Sequence, residues 1–114
     1  MDTIKIFNFE LSLENYSSKI WPLANNFKTK HGWELPSEEH FGIFQMLVNS
    51  GAGNFIPGEF YWAKEKKILI KNISDRKGPA YEANSYVFVK QTNKIQTHFM
   101  DPGNDFLVKL IRKI

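Results

Sequence analysis

Lys64, Lys66, Lys67, Lys71, Arg76 and Lys77 crowd one short stretch in which only Glu65 and Asp75 oppose them. A cluster of this kind raises the local positive potential and suits a sulfated or phosphorylated polymer or an acidic protein surface. The same lysines also fit a solvated hairpin whose charges discourage edge-to-edge pairing of strands. Trp33 and Trp62 could stack on sugar rings, although an indole of a folded domain is more often a core residue. His31, His40 and His98 lie far apart, and none is paired at helical spacing with another donor. A metal site needs three or four convergent ligands, so the three read as a helix-end cation, a first-turn surface residue and a strand-face residue, with no metal.

Other candidates resolve in the same way. Asp101, Asn104 and Asp105 offer oxygens around Pro102 and Gly103, but the spacing is that of a turn and not of a calcium loop. Gly51-Ala52-Gly53 follows a predicted helix, whereas a phosphate cradle needs glycines between a strand and a helix N-terminus. Glu59 and Glu82 stand beside no nucleophile and in no hydrolase motif. The chain therefore reads as a binding protein, neither an enzyme nor the holder of a cofactor.

Composition narrows the classes further. With 114 residues the chain is expected to form one domain able to bury a core without staples. No cysteine is present, which excludes disulfides, thiolate metal sites and a thiol nucleophile. A formal charge of +3 is too small for a dedicated nucleic-acid binder, so no specific nucleic acid is expected. The opening residues lack a basic region followed by an apolar run, and nothing approaches the length of a membrane span. A cytoplasmic location without membrane contact is the expectation; a chain from which a leader had been removed would read the same way.

The elements that must position these side chains follow from periodicity and punctuation. Residues 3–10 alternate as a strand, with a slip in phase at Ile6-Phe7 that suggests cover on both faces. Residues 11–17 connect to a helix over 19–30, with Pro22 in its first turn and Ile20, Leu23 or Ala24, and Phe27 as its apolar stripe, Trp21 at the margin. Lys28, Lys30 and His31 before Gly32 form a helix-ending combination. A second helix spans 38–48 with Phe41, Phe44, Leu47 and Val48 inward, ended by Asn49-Ser50-Gly51. Strands are then predicted at 60–63 and 68–70 around a charged turn at 64–67. After a loop over 71–84 come a hairpin turning at Thr92-Asn93 and a closing strand over 106–114.

The chain is organised around Trp33-Glu34-Leu35-Pro36-Ser37. Pro36 holds Leu35 out of helical geometry, Ser37 caps the second helix, and Glu38 and Glu39 complement its dipole. His40 stands where a capping box would place glutamate, so no box is expected.

The run from Gly32 through Ser37 to Glu39 resembles the G-W-R-L-P-T-x-E-E signature of the Lcl C-terminal domain family, bacterial domains related in fold to formylglycine-generating and C-type-lectin-like domains. Tyr61-Trp62-Ala63-Lys64, the 85–94 segment and Val108-Lys109-Leu110-Ile111-Arg112 resemble that family's later strands, in the same order. Glu34, Ala63, Lys64, Lys94 and Leu110 depart from its pattern, so a family ligand does not transfer. The missing cysteines separate the chain from the formylglycine-generating enzymes. The resemblance implies a small C-type-lectin-like α+β domain, two helices packed on a twisted antiparallel sheet, with Trp33, Leu35, Pro36, Ser37 and Trp62 as its structural motif. Function is expected to be non-catalytic binding: of a protein partner, or alternatively of an anionic glycan through Lys64, Lys66, Lys67, Arg76 and Lys77.

Overall fold

A computed structural model describes residues 2–69 and 81–114. Its strands are β1 (Thr3–Ile6), β2 (Phe9–Ser12), β3 (Tyr16–Lys19), β4 (Phe60–Ile68), β5 (Tyr81–Val89), β6 (Lys94–Met100), β7 (Phe106–Val108) and β8 (Ile111–Lys113). Between β3 and β4 lie α1 (Trp21–Asn25), two 3₁₀ turns (Lys30–Gly32 and Glu38–His40) and α2 (Phe41–Asn49). The strands form two sheets, one ordered β1-β2-β8 and the other β3-β7-β4-β5-β6. All described pairings are antiparallel except β4 with β7, which run parallel at Tyr61 and Leu107. A single meandering antiparallel sheet is thus replaced by two sheets with one parallel contact.

Apolar side chains collect on the two faces of β4. Tyr61 and Ala63 join Leu11, Phe44, Leu47, Val48, Phe55, Tyr86 and Ile111 in one cluster. Trp62, pointing the other way as strand alternation requires, joins Tyr16, Trp21, Ala24, Leu35, Ala83, Val108 and Leu110 in the second. Both faces of the strand are therefore buried at its start. Tyr61 stacks on its cross-strand partner Tyr86 at 5.2 Å, and the Trp62 ring lies 4.5 Å from Phe106. Both buried indoles keep a hydrogen bond: Trp62 Nε1 donates to the Lys19 carbonyl at 2.7 Å, and Trp21 Nε1 to that of Ala63 at 2.9 Å. Trp62 is fully buried and unavailable to a sugar.

Several expected elements break where a local constraint overrides the pattern. The 3–10 strand is a hairpin, and its phase slip is the turn: Phe7 takes a φ of 53° and the chain reverses into β2. The connector over 11–17 instead supplies the end of β2 and the start of β3. The first helix shrinks from the expected 19–30 to five residues, because Lys19 belongs to β3 and the chain unwinds at Asn26. Of the two alternatives for its inner stripe, Ala24 is buried and Leu23 exposed, while Trp21, placed at the margin, is buried. Gly32 is left-handed, at φ 82°, but it closes a 3₁₀ turn and not this helix. The charged turn expected at 64–67 is continuous strand, since β4 runs to Ile68 and pairs with Tyr81. Of the loop expected over 71–84, residues 81–84 belong to β5, and 71–80 lie outside the described residues.

The expected closing strand is also divided. β7 lies in the larger sheet and β8 in the smaller, so the chain changes sheets at Lys109-Leu110. Val108, Lys109, Leu110 and Ile111 are consecutively buried, which a strand with one wet face cannot do. Lys109 is wholly buried. Its Nζ donates to the carbonyls of Ser12 and Leu13, both at 3.1 Å, and lies 5.1 Å from the centre of the Phe55 ring. Ser12 completes the junction: its amide donates to the Leu110 carbonyl at 2.8 Å and its Oγ accepts from the Leu110 amide at 2.9 Å.

Two stability predictions follow from these junctions. Phe7 is 70% exposed, so its ring gains little from burial while its backbone occupies a region that disfavours a Cβ. Phe7→Gly should raise the unfolding free energy in urea by roughly 0.5 to 1 kcal/mol; a loss would show that the ring holds contacts worth more than the strain. Burial pushes the Lys109 ammonium down to about 7 from an ordinary 10.5. Between those values the unfolded chain binds the proton that the folded chain releases, so stability rises with pH across that window. From pH 6 to pH 9 the rise should reach at most about 3 kcal/mol, tempered by the two carbonyls and the ring that favour the cation. Lys109→Met should remove this increment from the pH profile, and an unchanged profile would count against it.

Candidate functional site

Among the described residues the basic cluster does not converge. Lys64 Nζ is bound to Glu34 Oε1 at 3.1 Å, and Lys66 Nζ lies 5.4 Å from the Tyr81 ring centre. Lys67 follows Lys66 on a regular stretch of β4 and therefore points to the opposite face, in register with Glu82. Lys71, Arg76 and Lys77 lie outside the described residues. The exposed described lysines thus sit along one arm of strand on diverging faces, and not around a common anion.

The residues of the 33–37 motif pack as a joint. Leu35, Pro36 and Ser37 are buried, and the Glu34 amide and carbonyl bridge to Ile111 at 3.0 and 2.9 Å. His40, read as a first-turn surface residue outside any capping box, is buried and supplies the box itself. Its Nδ1 accepts from the Ser37 amide at 3.0 Å, as a glutamate would, and its ring meets Phe9 edge-on at 4.9 Å. Burial pushes its imidazole below the ordinary range, which keeps the ring neutral and Nδ1 an acceptor. His31 sits in an exposed turn and His98 on β6; among the described residues no three histidine, aspartate or glutamate side chains gather as a metal site would need.

Trp33 meets the core reading in part: half-buried, it packs against the core cluster around Trp62 and also forms one wall of a groove of about 530 Å³. The other lining residues are Asn26, Lys28, Thr29 and Lys30, from the end of the stretch expected to be helical, and His31 just after it. Lys28 at φ 51° and His31 at φ 61° both occupy the left-handed region, costing roughly 1 to 2 kcal/mol each unless the surroundings hold them there.

Arg112 supplies that hold at His31. Its guanidinium lies 4.5 Å from the Trp33 ring centre, and its Nη1 donates to the His31 carbonyl at 3.3 Å. Its Nε and Nη2 each reach Glu10 Oε1 at 2.9 Å. Glu10 Oε2 accepts from Thr3 Oγ1 at 2.8 Å, and the hydrogen bonds from Thr3 and Arg112 hold the carboxyl below its ordinary range. A chain of fixed charges on β2 and β8 therefore backs the indole. The sequence hinted at this loop only through Asn25-Asn26, two poor helix formers midway along the expected helix.

No protein-family model matches the sequence, and no curated protein matches it. Solved structures do match in shape. The crystal structure of EMS16, an antagonist of the collagen receptor integrin alpha2beta1, superimposes with a TM-score of 0.66 at 8% identity, covering 98% of this chain and 97% of that one. Botrocetin superimposes with a TM-score of 0.61 at 12% identity, over 99% of this chain and 97% of its own. The chain accordingly has a C-type-lectin-like α+β fold, with, among the described residues, one nine-residue helix and a five-residue turn of helix in place of the two helices expected.

Proposed function

We propose that this chain is a non-catalytic binding module that docks a partner protein on the groove beside Trp33. The observation that carries the reading is a surface indole held against a strained loop by Arg112, itself locked to Glu10. Rigid aromatic surface of this kind binds at a low cost in conformational entropy, since little has to be ordered on contact. Support also comes from EMS16, which uses a scaffold of the same shape to antagonise a receptor protein. Kinship with the Lcl C-terminal domain family belongs to the same proposal, resting on the 32–39 motif and the later strands.

The alternative, an anionic glycan held by the basic arm, is favoured by the exposure of Lys66 and Lys67. It is weakened by their opposite directions and by the commitment of Lys64 to Glu34.

The two readings separate in one affinity experiment. The full chain, a Trp33→Ser variant and a Lys66→Ala/Lys67→Ala variant are used as bait in a lysate of the native source, with recovered protein quantified by mass spectrometry. A protein retained stoichiometrically by the chain and by the lysine variant, and lost with Trp33→Ser, is the expected result. Retention that needs Lys66 and Lys67 and disappears after glycosidase treatment would instead favour the glycan.

A further inference from the structure

Resting on that reading, we infer that the groove takes an acidic peptide segment bearing an apolar anchor. The reasoning begins with charge. Two lysines and an imidazole line the groove and no carboxylate does. Glu34, next to Trp33, is turned to Lys64, and Glu10, behind the indole, is consumed by Thr3 and Arg112. Lys30 makes no ion pair among the described residues, and Lys28 Nζ rests 4.9 Å from the Tyr16 ring centre, where the aromatic face attracts it without neutralising its charge. An anion entering here meets uncompensated positive charge.

Trp33 adds a second constraint. The guanidinium of Arg112 already occupies the favourable cation position over the ring. A second cation brought to the remaining indole surface would be repelled, whereas an apolar group would find a flat, fixed wall. The preferred occupant therefore combines carboxylates with a hydrocarbon side chain.

The hydrogen-bonding character of the lining separates peptide from sugar. Lys28 and Lys30, the two ammonium groups of the lining, only donate. A sugar ring brings several hydroxyls, each needing an acceptor for its own proton once water is displaced, and unpaired donors are costly to bury. Carboxylates and peptide carbonyls only accept, which matches the two ammonium groups of the lining. A volume of about 530 Å³ falls within the size of ordinary ligand pockets and holds a few residues, not a folded element.

The three tryptophans make the test selective, since Trp21 and Trp62 are buried in the core and Trp33 alone among them lines the groove. The full chain is labelled with fluorotryptophan and followed by fluorine NMR, the Trp33 resonance being assigned with Trp33→Phe. Three probes are titrated: a short synthetic peptide of glutamate and aspartate around one leucine, its glutamine and asparagine counterpart, and a sulfated disaccharide. The acidic peptide should shift the Trp33 resonance saturably and leave those of Trp21 and Trp62 in place, while the amide peptide should not. Lys28→Glu combined with Lys30→Glu should weaken the acidic peptide by about tenfold or more, with unchanged Trp21 and Trp62 resonances showing an intact core. A Trp33 resonance that ignores the acidic peptide, responds equally to the amide peptide, or responds to the disaccharide at lower concentration overturns the inference. Should the acidic peptide fail while a stoichiometric protein partner still depends on Trp33, the assigned chemistry falls and the binding module stands; loss of both removes the module as well.

Discussion

The fold hinges on the place where the closing strand leaves one sheet for the other. A backbone that changes sheets between two buried layers strands its neighbours' carbonyls away from water, and each unpaired buried carbonyl is costly. Here the exposed-seeming choice, a lysine, solves the problem from inside: Lys109 reaches across to the carbonyls of Ser12 and Leu13 while its chain packs in the core. The two N–H groups of a neutral amine suffice for the two carbonyls, and the Phe55 ring face receives what an additional proton would present. The cost of burying a potential charge is thereby offset locally: a leucine here would take a donor from the Ser12 carbonyl, while the Leu13 carbonyl would keep its bond from Asn54 Nδ2 at 2.9 Å.

The sheet change has consequences at a distance. Because β8 is freed from the larger sheet, Ile111 can bridge to Glu34, and Arg112 comes to lie over Trp33 with Glu10 of β2 on its other side. The surface groove is thus built from the same rearrangement that makes the core joint. His40 works alongside it, tying Ser37 to the start of α2 and wedging against Phe9 of the smaller sheet. A loop with two left-handed side-chain-bearing residues is held between these two anchors.

Legibility followed the range of the interactions involved. The inward face of α2, with Phe44, Leu47 and Val48, and its end at Asn49-Ser50-Gly51 were readable because helix periodicity and capping act within a few residues. The turn at Asn93, left-handed at φ 55°, was readable for the same reason. The hairpin at Phe7 was not, because a phenylalanine at positive φ contradicts every local preference and is imposed by the pairing of β1 with β2. His40 misled in the opposite sense: its role copies that of a capping glutamate, but through a ring nitrogen whose acceptor state depends on burial.

By itself the sequence determined the α+β class, the freedom from disulfides, the proline-serine entry to the second helix and the amphipathic face of that helix, all set by composition or by spacing between near neighbours. Only the tertiary structure decided that the lysines of β4 diverge, that Lys109 is interior, and that Trp33, half-buried against the core cluster around Trp62, also walls a cationic groove. Those outcomes depend on which strands become neighbours, and strand neighbours here are separated by up to about a hundred residues, as Arg112 is from Glu10. Local pattern carries no record of that choice, because the same alternating segment can pair, split or turn according to what is packed on its other face.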